Sequence, residues 1–194
     1  MLVFPYWLGK KVFNIIPDPK LAGGPTQDEI MAISLFKLGL KSTDTVLEIG
    51  CGTGKVSVAL ASRAKKVFSL DRRPEAVRMA QENARKTNTC NIEFSCGEAT
   101  EFLTGNGAYD CAFLGGTKNI REILPILAGK VRRTIVINAV LVSTLADAVE
   151  TLQALGIFSE VVSVNVARSY PIAGSIMFRP LDPVYIITGR GTAC

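Results

Sequence analysis

Val46-Leu47-Glu48-Ile49-Gly50-Cys51-Gly52-Thr53-Gly54 carries an apolar run straight into a Gly-x-Gly-x-Gly turn. Such a segment predicts a buried strand that ends in a tight turn and opens a helix. Glycine permits positive φ and lets another group approach where a Cβ would collide. A second apolar run, Val67-Phe68-Ser69-Leu70, ends at Asp71, whose carboxylate can accept hydrogen bonds from both hydroxyls of a ribose. Together the two predict a nucleoside-cofactor site at the carboxyl edge of a parallel sheet.

Outward from this pair, apolar runs and helical stretches alternate. Strands are expected over residues 45–49, 66–70, 91–96, 109–114 and 133–139. Helices are expected over 55–63, 74–86, 120–127 and 143–155, with Pro74 at a first turn, where its missing N–H is tolerated. Upstream, Thr26-Gln27-Asp28-Glu29 has the pattern of a capping box, with Thr26 as N-cap and Glu29 reaching back. Ile30, Ile33, Phe36 and Leu38 continue it as a helical stripe that ends near Gly39. Alternation of this kind implies right-handed βαβ units. The last segments break the pattern. Residues 160–167 and 184–188 are both strand-like with no helical period between them, so a long hairpin should pair them antiparallel. The expected fold is α/β and Rossmann-like: a doubly wound, mostly parallel seven-stranded sheet with a C-terminal antiparallel hairpin. It resembles the class I S-adenosylmethionine-dependent methyltransferase fold. Dinucleotide dehydrogenases usually stay parallel, use Gly-x-Gly-x-x-Gly, and carry a second domain that 194 residues cannot hold.

Composition narrows the chemistry. With 48% hydrophobic and 20% charged residues, the chain can build one sizeable core and lacks a disordered composition. Histidine is absent, which removes His-based triads, imidazole bases and His-containing zinc sites. The five cysteines, Cys51, Cys90, Cys96, Cys111 and Cys194, show no Cys-x-x-Cys spacing. Their odd number suits a reducing cytoplasm better than a disulfide framework, and no metal site is expected. The net charge of +5 fits an acidic partner or a merely basic soluble enzyme. The apolar start, residues 1–8, is too short to span a bilayer and contains Pro5. It reads as part of a packing arm (residues 1–24) against another subunit or against its own domain, residues 25–194.

Within the expected site, the amides of Gly50, Cys51, Gly52, Thr53 and Gly54 would face the methionine end of the cofactor, at the positive end of the following helix. Asp71 would take the ribose, its alternative role being a helix N-cap ahead of Pro74. Gly97-Glu98-Ala99 follows the third strand, where Glu98 or the Ala99 amide would contact adenine, unless this is a solvated turn. Leu114-Gly115-Gly116-Thr117 follows the fourth strand, beside the reacting group. Many methyltransferases acting on amino groups place Asn/Asp-Pro-Pro-aromatic there. The Gly115-Gly116 pair argues against that chemistry and for a substrate that approaches the backbone closely; a plain glycine turn is the alternative.

The chain resembles the cobalt-precorrin carbon-15 methyltransferase (decarboxylating) family of cobalamin biosynthesis. The matching segments are Gly24-Pro25-Thr26, the 48–54 loop, Leu70-Asp71-Arg72-Arg73-Pro74-Glu75-Ala76 and Gly115-Gly116. Asn165-Val166-Ala167-Arg168 and Arg179-Pro180-Leu181-Asp182-Pro183-Val184 complete the set. They extend over residues 16–189 and leave 1–15 outside. The resemblance implies S-adenosyl-L-methionine as cofactor, held at Thr26, Gly50 to Gly54, Asp71, Glu98 and Ala99. It implies a tetrapyrrole, a cobalt-precorrin, as substrate, whose carbon 15 is methylated while the carbon-12 acetate loses carbon dioxide. It further implies a cytoplasmic homo-oligomer, a tetramer, with any cobalt arriving inside the substrate.

Such a ring bears many carboxylates, which arginine grips in a planar two-bond fork. Arg72, Lys118, Arg121, Arg168 and Arg179 are candidates, each alternatively a solvated charge. Arg168 and Arg179, flanking the hairpin, are the preferred pair, with Gly115 and Gly116 completing the substrate side. A conjugated ring carbon is already nucleophilic, so alignment would supply most of the catalysis without a strong base. Protonation after decarboxylation needs an acid, and Tyr170, Glu98 and water all remain open. The competing readings are an RNA methyltransferase, a protein carboxyl methyltransferase and a non-catalytic nucleoside-binding subunit. A nucleic-acid partner is not expected, because the chain lacks a basic stripe interleaved with aromatics.

Overall fold

The computed structural model describes residues 26–193 apart from Asn106. The expected N-terminal arm, residues 1–24, lies outside the described residues, as do Pro25 and Cys194. Helix α1 (Asp28–Leu38) leads into β1 (Thr45–Ile49), α2 (Lys55–Ala61), β2 (Lys66–Asp71), α3 (Pro74–Lys86) and β3 (Ile92–Cys96). A short α4 (Ala99–Phe102) precedes β4 (Tyr109–Leu114), α5 (Ile120–Ala128), β5 (Val131–Ala139) and α6 (Val142–Ala154). The chain then turns to strands alone: β6 (Phe158–Val164), β7 (Ala167–Ile172), β8 (Ser175–Pro180) and β9 (Val184–Arg190).

Seven strands form the main sheet in the order β3-β2-β1-β4-β5-β9-β6. From β3 to β5 every pairing is parallel, while β9 runs antiparallel to both β5 and β6. This is the expected doubly wound sheet with its antiparallel finish. The connection between the last two sheet strands differs from a plain hairpin loop. It carries its own two-stranded sheet, β7 with β8, in which Arg168 faces Arg179 across the ladder. The four-residue α4 is too short to leave a helical period in the sequence.

Strand residues alternate between two cores. Leu47, Ile49, Ala112, Leu114, Ile135 and Ile137 pack toward α4, α5 and α6. Val46, Cys111, Phe113 and Val136 pack toward α1 and α2. Both faces of the central strands are therefore apolar, which explains their unbroken hydrophobic runs. Glu48 and Asn138 fall on the α1/α2 face and interrupt it at the carboxyl edge of the sheet.

The capping box at α1 does not form. Gln27, not Thr26, is the N-cap, and it makes no side-chain cap bond. Glu29 instead turns outward to Arg168, at 2.6 Å from Nη2. At its other end α1 closes on Gly39 in the left-handed conformation, φ 58°.

That end is clasped by Arg133 of β5. Its Nη1 and Nη2 each donate to Asp44 at 2.8 Å, and Nη2 also reaches the Gly39 carbonyl at 3.1 Å. Asp44 is 2% exposed and additionally accepts from the Lys41 amide at 2.7 Å. Arg133 and that amide hold the Asp44 pKa below the usual carboxylate range. Removing one member of such a pair leaves a buried charge unmatched. Arg133→Ala should therefore lower unfolding free energy by roughly 3 kcal/mol, measured by urea denaturation at neutral pH. The contribution should be complete above the ordinary carboxylate range and drain away as pH falls through the depressed pKa of Asp44.

Candidate active site

The strand order reverses between β1 and β4, and at that switch the carboxyl ends of three strands are laced together. The Leu70 carbonyl accepts the amides of Gly50 and Cys51 at 2.7 and 3.0 Å, and the Ile49 carbonyl accepts those of Gly115 and Gly116, both at 2.9 Å. The lacing brings Gly50 against Gly116. A Cβ at Gly50 would lie 2.3 Å from the Gly116 nitrogen, and φ there is +87°. Gly54, at φ +79°, is equally constrained, since a Cβ would meet the Cα of Ala80 at 2.8 Å. The close backbone approach expected at Gly115-Gly116 is thus an approach to Gly50 itself.

The glycine loop lines the site, but its amides mostly do not point into it. Gly50 and Cys51 are tied to Leu70, Gly52 donates to Asp71 Oδ2 at 3.0 Å, and Gly54 donates to the Cys51 carbonyl at 2.8 Å. This corrects the expectation of a row of ligand-facing donors: these bonds shape the loop. Cys51 is 5% exposed, and burial pushes its thiol pKa up, so it stays protonated.

Two cavities open here. One, of about 350 Å³, is lined by Thr26, Gln27, Glu48, Gly52, Thr53 and Asn138, among others. The other, of about 610 Å³, is lined by Leu70, Asp71, Gly97, Glu98, Ala99 and Ile123, among others. Gly50, Arg73, Gly115, Thr117 and Leu141 belong to both walls. Thr26 is held at the rim of the smaller cavity by Lys55, whose Nζ reaches its carbonyl at 2.6 Å and Asp28 at 2.7 Å.

Glu48 lies at the floor, 0% exposed. Ser57 from α2 and Ser69 from β2 both donate to its Oε2. Oε1 has no hydrogen-bond partner among the described residues, and the same holds for Gln27 Oε1 and Asn138 Nδ2. All three residues line the smaller cavity. Buried polar atoms are normally satisfied, so this concentration marks a place shaped for a polar ligand group. Burial drives the Glu48 pKa up to about 7, against the two serine bonds.

Asp71 ends β2 with its side chain 3% exposed. It accepts from the backbone nitrogen, Nε and Nη2 of Arg73 at 3.1, 2.9 and 3.0 Å. Burial alone would raise its pKa; Arg73 and the Gly52 amide outweigh that and hold it low. Glu98 is the N-cap residue of α4 and lies 3.6 Å from Lys118. Ala99 is buried in the wall.

The preferred substrate arginines lie in the hairpin, as expected. Arg168 pairs with Glu29, Arg179 stacks on Tyr170 with its guanidinium carbon 4.8 Å from the ring centroid, and neither lines either of the two cavities described above. Arg121 binds Asp147 and Glu150 on the α6 side. Arg72 does line the larger cavity. Sequence reasoning passed over Arg73, Glu48, Lys55 and Asn138 as site residues. A carboxylate directly before the glycine turn and a lone amide in a buried strand were the available signals for two of them.

A family model described as precorrin methyltransferase domain matches residues 21–189. A protein of Methanosarcina acetivorans named "probable cobalt-precorrin-6B C(15)-methyltransferase (decarboxylating)" is 45% identical over 178 residues, 89% of this chain and 97% of its own. Among solved structures, precorrin-8w decarboxylase from Methanobacterium thermoautotrophicum superposes with a TM-score of 0.86 at 30% identity, covering 90% of this chain and 96% of its own. Precorrin-6y C5,15-methyltransferase from Geobacter metallireducens gives 0.85 at 30% identity, with 94% and 97% coverage. These similarities lend no support to the RNA methyltransferase reading.

The state of Glu48 is measurable through stability. Its native pKa of about 7 stands above the ordinary 4.5. Between these values the native state holds a proton that the unfolded chain has released, so stability falls as pH rises. Glu48→Gln should flatten the decline in denaturation midpoint between about pH 5 and pH 7. An unchanged slope would place the proton elsewhere.

Proposed function

The chain belongs to the precorrin methyltransferase family, and on that premise we propose that it methylates carbon 15 of a cobalt-precorrin in cobalamin biosynthesis, with loss of carbon dioxide from the carbon-12 acetate. The observation that carries the reading is the pair of cavities sharing one wall at the β1/β4 switch. Open α/β sheets bind ligands at such a switch point.

S-adenosyl-L-methionine fits what these residues offer. The larger cavity presents Asp71 together with the apolar walls of Leu70, Ala99 and Ile123, suited to a nucleoside. The smaller presents an unmatched acceptor, Gln27 Oε1, an unmatched donor, Asn138 Nδ2, and the unmatched Oε1 of the Glu48 carboxyl, which carries the proton in the neutral form and is an acceptor in the ionised one. An amino-acid end, with an ammonium and a carboxylate, complements that set. When bound, this cofactor supplies an electrophilic methyl group on a sulfonium.

The chain's own part is to hold and to exclude. Gly50 and Gly116 fix the rim where the two cavities join, and Phe113 and Val184 give the smaller one apolar surface. Alignment of an electron-rich ring carbon with the methyl group is the main source of rate. The electrons left by departing carbon dioxide pass into the conjugated ring, and a proton replaces it. Glu98, in the larger cavity's wall, Tyr170 and water are the acids open to that step.

A homo-oligomer, a tetramer, is part of the same proposal. The β7–β8 hairpin exposes Ile172, Ile176, Met177 and Phe178, the last two 48% and 64% exposed. By the register of the pair, Ile176 and Phe178 lie on one face of this ribbon and Ile172 and Met177 on the other. Exposed apolar side chains on both faces suit an association surface, and a second copy of the chain is its occupant in this reading. No helix of the described residues is long and apolar enough to cross a membrane, and we place the enzyme in the cytoplasm.

Incubation with S-adenosyl-L-methionine and the tetrapyrrole intermediate should yield, by mass spectrometry, a product gaining one methyl and losing one carbon dioxide. Methylation of tRNA without corrinoid turnover would refute the reading. Asp71→Ala should abolish both turnover and cofactor binding by calorimetry. Phe178→Glu should shift sedimentation toward the monomer while far-UV circular dichroism stays unchanged.

A further inference from the structure

Asp71 has no vacant acceptor position for a ribose. An ionised carboxylate offers about four lone-pair sites, and four donors already fill them. Two are backbone amides, from Gly52 and Arg73. The other two, Nε and Nη2, belong to the single guanidinium of Arg73. With only 3% of its side chain exposed, Asp71 has no second face to offer.

We propose that Arg73 gates the ribose subsite: its guanidinium occupies the two acceptor positions that a vicinal diol requires, and it withdraws when a nucleoside binds. This inference rests on the nucleoside reading of the larger cavity. The exchange is balanced, two donors leaving and two arriving, so Asp71 stays fully satisfied in both states and never faces the cavity as a bare buried charge. The two amide donors need not move. Arg73 is the residue that moves in the exchange. Its side chain is 30% exposed, and it stands in the wall common to both cavities. Only its side chain has to swing, because its backbone nitrogen is the donor that stays.

A gate of this kind weakens apparent affinity by the fraction of molecules in which Asp71 is free of the guanidinium. Removing the gate should therefore tighten the binding of any ligand bearing the diol. Adenosine is the informative probe. It carries the diol but no carboxylate, so losing an arginine cannot change its affinity through an amino-acid end.

Calorimetric titration of adenosine into wild-type protein, Arg73→Met and Arg73→Ala, at a pH well above the carboxylate range, tests the proposal. Both variants should bind adenosine about tenfold more tightly than wild type. With 2′,3′-dideoxyadenosine, which lacks the diol, all three proteins should agree within about twofold. Arg73→Lys, which retains the charge but not the planar fork, should fall between them. Equal or weaker adenosine binding in both variants would overturn the gate, as would an equal gain with the dideoxy probe, which would mean simple steric relief. If wild type binds adenosine in an Asp71-dependent way and the variants bind no better, the gate fails and the nucleoside site stands. If no form binds adenosine, both fail.

Discussion

Two carbonyl oxygens, those of Leu70 and Ile49, each accept two amides from the next strand end in the sheet. The rest of the site depends on this double acceptance. It draws the ends of β2, β1 and β4 together at the one place where the strand order reverses. Because each carbonyl must see two successive amides, the chain has to turn sharply just beyond the strand. At Gly50 that turn needs positive φ and no Cβ, with Gly116 lying where a side chain would be. The cavities form around these ends.

The sheet was legible because its central strands are buried on both faces. β1 and β4, at residues 45–49 and 109–114, have the expected bounds, since apolar runs between Gly and polar turns leave little choice of register. The terminal antiparallel pairing was legible from what was missing, a helix between two strands. The hairpin sheet β7–β8 was not, because its residues are almost all exposed and show no alternation. The N-cap of α1 shifted for a related reason. Glu29, the residue that would have closed the capping box, meets Arg168 more than a hundred positions later, a contact no local pattern reports.

For the site the division follows the same line. The glycine turn and Asp71 are local features, written in consecutive residues. Which donors they satisfy is tertiary, and there the structure parts from the pattern: loop amides close the turn, and Asp71 holds an arginine. The basic charge of the chain is likewise redistributed. Arg168, Arg121 and Lys118 all lie beside carboxylates, and of the three only Lys118 lines one of the two cavities. Such exposed pairs are individually weak. Glu48 is the opposite case. Taken fully out of water, it keeps its proton into the neutral range and leaves the floor of the smaller cavity without a fixed charge.

The placement of β9 has a consequence for the order in which the protein is made. β6 is hydrogen-bonded to the main sheet only through β9, which inserts between it and β5. On the ribosome β6 emerges first and must wait, with the whole β7–β8 excursion, until residues 184–190 follow. During that interval β5 presents an open edge and its apolar neighbours lack their last cover. Closure of the sheet thus waits on β9, and the strands that hold the glycine turn precede in the chain the strand that seals the sheet.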